Sequence, residues 1–134
     1  MSVHGVDHVN IRVKDPMATM NFLADVLGMT VKVSPPGSLG GGGLVIDANG
    51  NAILHVGAVD GTYPSDTWRP FKPAEDGGAV HHVALNCGGY DEVRARIKAL
   101  GLDHFEGEIP QIKLKQLFTV VPGGVLLELN FRDA

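Results

Sequence analysis

The chain has 134 residues, of which 44% are hydrophobic, and a formal net charge of −4. This length and composition suit one folded domain, or two very small modules fused into one, and argue against a disordered chain. The acidic balance leaves no basic stripe for duplex binding, and no apolar run approaches the ~20 residues of a membrane span, so neither nucleic acid nor membrane is an expected partner. The single cysteine excludes an internal disulfide and fits a reducing compartment, so a soluble cytoplasmic protein is expected.

The first half of the chain is predicted to form a strand, a helix and three more strands. Residues 6–13 alternate apolar and polar side chains, which is typical of a strand with one face of each kind. Asp15 and Pro16 then form a helix start, and Gly28 marks the helix end. Short β-prone runs follow at 30–34, 44–47 and 52–59, and an Asn-Gly turn joins the last two as a hairpin.

The second half is predicted to repeat this order after a linker over residues 60–77 that carries several aromatic anchors. The stretch GAVHHVALNC at 78–87 is predicted to be a strand, and a helix is expected over 90–100. Three further strands are expected over 102–105, 114–121 and 125–131. The chain is therefore expected to be one domain with modules 1–59 and 78–134.

The two halves match in register, and the match includes polar residues. His8 lies 20 positions before the helix-ending Gly28, and His82 lies 19 positions before Gly101. His8 to His55 is 47 positions, and His82 to Glu128 is 46. His8 therefore corresponds to His82, and His55 to Glu128.

The residues that flank these four are apolar and would face the helices. The predicted fold is α+β, with two βαβββ modules forming a curved mixed β-sheet cup and the helices outside. His8, His55, His82 and Glu128 would then point into the concave face. An ionised Glu in an apolar strand is costly to bury unless it is paired or bound to a cation, and a divalent metal would remove that cost for Glu128.

Other chemically active side chains are predicted to have structural roles. His81 is expected to face away from His82, and Cys87 to be a small core residue on the helix side of its strand. His4 and His104 are expected to face solvent at the edges of the fold.

The chain resembles the vicinal oxygen chelate superfamily, which includes glyoxalase I, extradiol dioxygenases, methylmalonyl-CoA epimerase and the fosfomycin- and bleomycin-resistance proteins. The resemblance is carried by DHVNIRVKDPMATMNFLADVLGM, HHVALNC and QLFTVVPGGVLLELNF, and it spans nearly the whole chain. It implies paired modules, metal ligands from the first and last strands, and often a homodimer whose sites combine both subunits. At the fourth strand this chain has His55, whereas glyoxalase I and the epimerase use a glutamate there or nearby.

His8, His82 and Glu128 form a set of two histidines and one carboxylate, which leaves positions on a metal open for substrate and O₂. His55 is either a fourth ligand or a nearby acid/base, and the expected metal is Fe, Mn, Zn or Ni. Catalytic roles are assigned to His55 and Glu128. Contacts to a small-molecule substrate are assigned to Asn10, Arg12, Gln116 and Phe118.

Three functions are compatible with these residues. The first is an extradiol-type dioxygenase, in which His55 takes a proton from a diol bound through two oxygens. The second is a glyoxalase-like lyase, isomerase or epimerase with Glu128 as ligand and base. The third is a dimeric protein that sequesters an antibiotic without catalysis, as the bleomycin-resistance proteins do.

Overall fold

The computed structural model describes residues 1–35, 41–72 and 80–133. The chain divides into two compact units, residues 1–73 and 74–134. Each unit contains a strand, a helix and three strands in that order, so the predicted α+β class with two βαβββ modules is confirmed. Within these described ranges, neither helix is long and apolar enough to cross a membrane.

The first unit consists of five elements that bury one apolar face. They are β1 (Val9–Val13), α1 (Pro16–Leu27), β2 (Thr30–Val33), β3 (Gly43–Ile46) and β4 (Ala52–Ala58). A short 3₁₀ turn at Pro64–Thr67 follows them. The strand order is β1-β4-β3-β2, with β1 parallel to β4 and the other neighbours antiparallel.

Helix α1 begins and ends where its sequence predicts. The Asp15 side chain accepts a hydrogen bond from the backbone N–H of Ala18, and Pro16 occupies the first turn. Gly28 adopts a left-handed conformation with φ 68° and ends the helix. Met20 and Leu23 of α1 are fully buried against the sheet, so the helix covers its apolar face.

Alternation along β1 separates the two faces of the first sheet. Ile11 and Val13 are buried, whereas Asn10 is exposed on the opposite face. In the parallel pairing of β1 with β4, Asn10 lies opposite His55 and Ile11 lies opposite Val56. The polar residues of β1 therefore share a face with His55.

The second unit repeats this arrangement. Its elements are β5 (Val83–Cys87), α2 (Tyr90–Ala99), β6 (His104–Ile109), β7 (Leu114–Val120) and β8 (Leu126–Phe131). The strand order is β5-β8-β7-β6, again with the first and last strands parallel. Val93 and Ile97 of α2 are buried, as are Leu127, Leu129 and Phe131 on one face of β8.

Several predicted boundaries need correction. Strands β1 and β5 begin at Val9 and Val83, so His8 and His82 immediately precede their strands. Strand β6 runs over His104–Ile109 instead of 102–105, because it pairs with β7 along its whole length despite its polar sequence. The helix expected over 90–100 ends at Ala99, and Leu100 is 58% exposed. Residues 73–79, the end of the predicted linker and the start of the predicted strand, lie outside the described residues.

Candidate functional site

His8 and His55 are brought together in the first unit. The two imidazole rings stack with their centroids 3.7 Å apart and their planes 11° from parallel. The pairing of β1 with β4 brings the start of β1 beside His55, because Asn10 lies opposite His55 and His8 is two residues before Asn10. Two ring systems with nitrogen donors therefore lie side by side at one end of the parallel strand pair.

The Asp7 carboxylate holds the His8 ring through its Nδ1 atom. Asp7 Oδ2 lies 2.5 Å from His8 Nδ1, and this hydrogen bond lowers the pKa of Asp7, with the charge interaction with His8 adding to it. Histidines that bind metals usually donate one ring N–H to a carboxylate, which directs the other nitrogen to the metal. In His8, Nε2 is the ring nitrogen that Asp7 does not contact.

Burial lowers the pKa of His55, and the nearby His8 lowers it further. Both causes disfavour a charged imidazolium, so His55 is neutral at physiological pH. A neutral imidazole has a lone pair that can either bind a metal or accept a proton. His55 therefore has the chemistry required by both of the roles predicted for it.

His82 and Glu128 form the corresponding pair in the second unit. Ala84 lies opposite Glu128 in the parallel pairing of β5 with β8, and His82 is two residues before Ala84. His82 Nε2 is 3.7 Å from Glu128 Oε1. This separation is too long for a hydrogen bond, so the two atoms face each other across a short gap.

The second oxygen of Glu128 belongs to a hydrogen-bond chain that the sequence analysis missed. Asn130 Nδ2 donates to Glu128 Oε2 at 2.9 Å, and Gln116 Nε2 donates to Asn130 Oδ1 at 3.1 Å. The chain fixes the orientation of the carboxylate. Strand alternation could have indicated this contact from the sequence, because Asn130 lies two residues after Glu128 on the same face of the strand.

The prediction that His81 faces away from His82 is wrong. Their Nδ1 atoms are 2.8 Å apart, and their rings meet edge to face. Both residues precede β5, so the alternation of a strand does not apply to them. His81 thus contacts the Nδ1 atom of His82, as Asp7 contacts that of His8 at the equivalent position.

The donor types in the two pairs fit a divalent metal. Imidazole nitrogen and carboxylate oxygen are ligands of Zn, Fe, Mn and Ni alike. In the part of the chain that the structure describes, no group of three or more His, Cys, Asp or Glu side chains is arranged to hold a metal ion. Each unit by itself brings together two of the four predicted ligands.

Arg12, one of the predicted substrate contacts, is held by neighbouring residues of its own unit. Its side chain is 12% exposed and donates to Asp66 at 3.0 Å, and its guanidinium lies 3.6 Å from the centre of the Tyr63 ring. Arg12 thereby anchors the segment after β4 to β1. The other predicted contacts, Asn10, Gln116 and Phe118, lie on strands, and Phe118 is directly opposite Glu128.

A cavity of about 620 Å³ lies in the first unit. It is lined by Asn10 and Arg12 of β1 and by residues 68–72. Asn10, which lines the cavity, is the register neighbour of His55 in β4.

A second polar cluster in the second unit was also missed from the sequence. The Glu106 carboxylate accepts hydrogen bonds from Arg94 at 2.7 Å and lies 3.0 Å from His104 Nε2. These partners lower the pKa of Glu106 to about 2, and the hydrogen bond to Glu106 is the main cause of a raised pKa at His104. His104 was expected to face solvent, but its side chain is only 17% exposed.

Cys87 is half-buried, and burial raises the pKa of its thiol to about 11. The thiol is therefore protonated at neutral pH and is a poor nucleophile. This agrees with the predicted role of Cys87 as a small packing residue.

Comparison with known proteins identifies the family. The sequence model of the Glyoxalase/Bleomycin resistance protein/Dioxygenase superfamily matches residues 5–132. A search of curated proteins found no match.

Solved structures share the fold at low sequence identity. A glyoxylase/bleomycin resistance protein/dioxygenase domain from Frankia sp. EAN1pec is 18% identical, with a TM-score of 0.71 over 97% of this chain and 93% of that chain. A mutant of the fosfomycin resistance protein FosX from Listeria monocytogenes is 20% identical, with a TM-score of 0.70 and coverage of 97% and 93%. A putative glyoxalase family protein from Bacillus anthracis is 20% identical, with a TM-score of 0.65 and coverage of 98% and 97%.

The family match covers almost the whole chain, and the fold agrees with it. The chain belongs to the Glyoxalase/Bleomycin resistance protein/Dioxygenase superfamily.

Proposed function

We propose that the chain is a divalent-metal-dependent enzyme that acts on a small, oxygen-rich organic molecule. The observation that carries this proposal is the recurrence of one arrangement in both units, His8 against His55 and His82 against Glu128. Core packing does not require polar side chains at these equivalent positions, whereas a shared ligand set does. The FosX structure is described as a complex with Mn(II) and a dihydroxypropylphosphonic acid, which supports a divalent metal and a vicinal diol in this superfamily.

In this proposal His8, His82 and Glu128 are ligands of one metal ion, contributed by one chain or by two chains of a homodimer. His55 is the fourth ligand or the acid/base beside it. The bound metal would act as a Lewis acid on two neighbouring substrate oxygens. Asp7 and Asn130 would orient His8 and Glu128, respectively, through the hydrogen bonds described above.

Our first candidate reaction is extradiol-type dioxygenation of a catechol-like diol. It is favoured by His55, whose pKa is lowered by burial and by the nearby His8, and whose ring stacks on that of His8. His55 would accept a proton from one substrate hydroxyl at its free ring nitrogen, while Phe118 and Gln116 line the site beside Glu128. Such a ligand set suits Fe or Mn, because it leaves metal positions open.

Our second candidate is a glyoxalase-like isomerase, lyase or epimerase. It is favoured by the carboxylate of Glu128, which Asn130 holds in one orientation and which is 18% exposed. A carboxylate held in this way would move a proton between adjacent carbons of the substrate. Ni, Zn or Mn would serve this reaction, since it needs no redox change.

Metal content is the decisive first measurement. The purified chain is incubated separately with Fe(II), Mn(II), Zn(II) and Ni(II), the Fe(II) sample under anaerobic conditions, then desalted and analysed for bound metal. We expect stoichiometric retention of at least one ion, lost in His82→Ala and Glu128→Gln but kept in His4→Ala, which removes an exposed histidine. A wild-type chain that retains none of the four ions would refute the proposal and favour the non-catalytic, antibiotic-sequestering alternative.

The His55→Ala variant separates the two roles of that residue. If His55 is a ligand, the variant loses metal affinity. If His55 is the acid/base, the variant keeps the metal but loses turnover. Oxygen uptake with a catechol panel tests the first candidate reaction, and turnover of hemithioacetal substrates tests the second.

A further inference from the structure

Three basic side chains, Arg12, Arg69 and Lys72, line the cavity in the first unit. Arg12 is neutralised by Asp66, but Arg69 and Lys72 have no carboxylate partner within the described part of the chain. Among the described residues, the cavity therefore holds two positive charges without a carboxylate partner, in a chain whose formal net charge is −4. Such a local positive field attracts anions even though the net charge of the chain is negative.

Two aromatic side chains stand beside these charges. Trp68 is 82% exposed and Phe71 is 43% exposed, and both line the cavity. Large aromatic residues at a cavity with this much free surface offer a flat apolar face to a ligand. The sequence of residues 68–72, WRPFK, alternates aromatic and basic side chains, so both kinds of contact are available to one small molecule.

The segment that carries these side chains is held in place. The backbone N–H groups of Trp68 and Arg69 donate to the carbonyl of Ser65 at 3.1 and 2.8 Å. Asp66 accepts from Arg12 and from the backbone N–H of Tyr63, which ties the preceding turn to β1. A ligand at this cavity would not have to order the backbone at Trp68 and Arg69 first, which lowers the entropic cost of binding.

We infer that this cavity binds a small anion that carries a flat aromatic group, such as an aryl carboxylate or an aryl phosphonate. Arg69 and Lys72 contact the anionic group, and Trp68 and Phe71 contact the ring. Because Asn10 links the cavity to His55, this ligand is the recognition end of the substrate of the proposed metal site. In naming that substrate class the inference rests on the proposed function, but binding at the cavity itself does not require a metal.

The fluorescence of Trp68 gives a direct test, because the chain contains one tryptophan. EDTA-treated protein is titrated with phenylphosphonate, which has both groups, with methylphosphonate, which has only the anion, and with benzyl alcohol, which has only the ring. We expect a saturable change with phenylphosphonate and weaker binding of the other two. Binding should also weaken as NaCl is raised, because exposed charges are screened.

Variants identify the charges that are responsible. We expect Arg69→Gln and Lys72→Gln each to raise the dissociation constant about two- to fivefold, as for the loss of one exposed ion pair. Lys98→Gln is the matched control, since it removes an exposed charge from α2 of the other unit, and it should bind as wild type does. Calorimetry with Trp68→Ala, which has no fluorescence signal, should show weaker binding as well.

The outcomes separate this inference from the proposed function. Saturable binding of phenylphosphonate that Arg69→Gln and Lys72→Gln weaken supports the inference, whether or not the chain retains a metal. No saturable response, or equal loss in Lys98→Gln, overturns it. If the chain retains a metal and yet shows no response to phenylphosphonate, the inference fails and the proposed function stands.

Discussion

The hydrogen bond from Asn130 to Glu128 gives a quantitative prediction about the proposed metal site. In Asn130→Leu, a side chain of similar size replaces the donor, and Glu128 Oε2 loses its 2.9 Å partner. A hydrogen bond to a charged group contributes about 1.5–3 kcal/mol. At about 1.4 kcal/mol per tenfold change in affinity, this corresponds to a 10- to 100-fold loss of metal binding.

The exposure of Glu128 places the expected loss of metal affinity near the lower end of this range. The side chain is 18% exposed, so water replaces part of the lost interaction in the variant. We therefore expect the dissociation constant for Mn(II) to rise about tenfold, within the range found for residues that orient metal ligands. The assay is calorimetric titration of metal-free protein with Mn(II).

Two comparisons make the result interpretable. Asn86→Leu is the matched control, because Asn86 lies opposite Asn130 in the strand pairing but bonds to Arg132, and it should change the affinity less than twofold. Glu128→Gln should weaken binding more than Asn130→Leu does. If Asn130→Leu binds Mn(II) as tightly as wild type while Glu128→Gln does not, the orienting role of Asn130 is refuted.

Two further predictions concern stability. The hydrogen bond to Glu106 raises the pKa of His104 in the folded state. The stability that this interaction contributes is therefore fully present below the unfolded-state pKa of about 6.5, and it is lost as the pH rises through the folded-state pKa. His104→Gln should therefore lower the melting temperature more at pH 5.5 than at pH 9, and an equal loss at both would contradict the assignment. Gly42→Ala should destabilise the first unit severely, because its Cβ would lie 1.7 Å from the Val56 carbonyl oxygen. In Gly50→Ala the Cβ meets no atom within 4 Å, so this variant should retain the fold, with a smaller loss of stability caused by the left-handed φ of 84°. Circular dichroism melts compare the two, and equal melting temperatures would contradict the predicted effect of the close approach at Gly42.

The paired modules could be predicted because their signals are local and repeated. Alternation along β1, the Asp15 cap and the Gly28 end of α1 all depend on residues that are close in sequence. The equivalence of His8 with His82, and of His55 with Glu128, followed from spacing alone, and the strand register agrees with it. The assignment of these residues as metal ligands remains a prediction.

What the sequence did not indicate depends mostly on contacts between distant parts of the chain. The partner of Arg12, Asp66, is 54 residues away, and no local pattern indicates the pair. Strand β6 contains Glu106 and Glu108 and is an edge strand with mostly exposed side chains, so it lacks the apolar alternation that marks a strand. Its Glu106 cluster depends on Arg94 of α2, which the topology places beside it.

The matching registers of the two units have a consequence for how such a protein diversifies. His55 and Glu128 occupy equivalent positions on the last strand of their units. Each lies opposite the residue that is two positions after the histidine of its unit, His8 or His82. Exchanging one of these residues for the other changes the local charge by one unit and leaves the backbone pairing as it was. The two units thus carry a histidine and a carboxylate at equivalent positions, so the donor type at either position can differ while its place in the sheet stays the same.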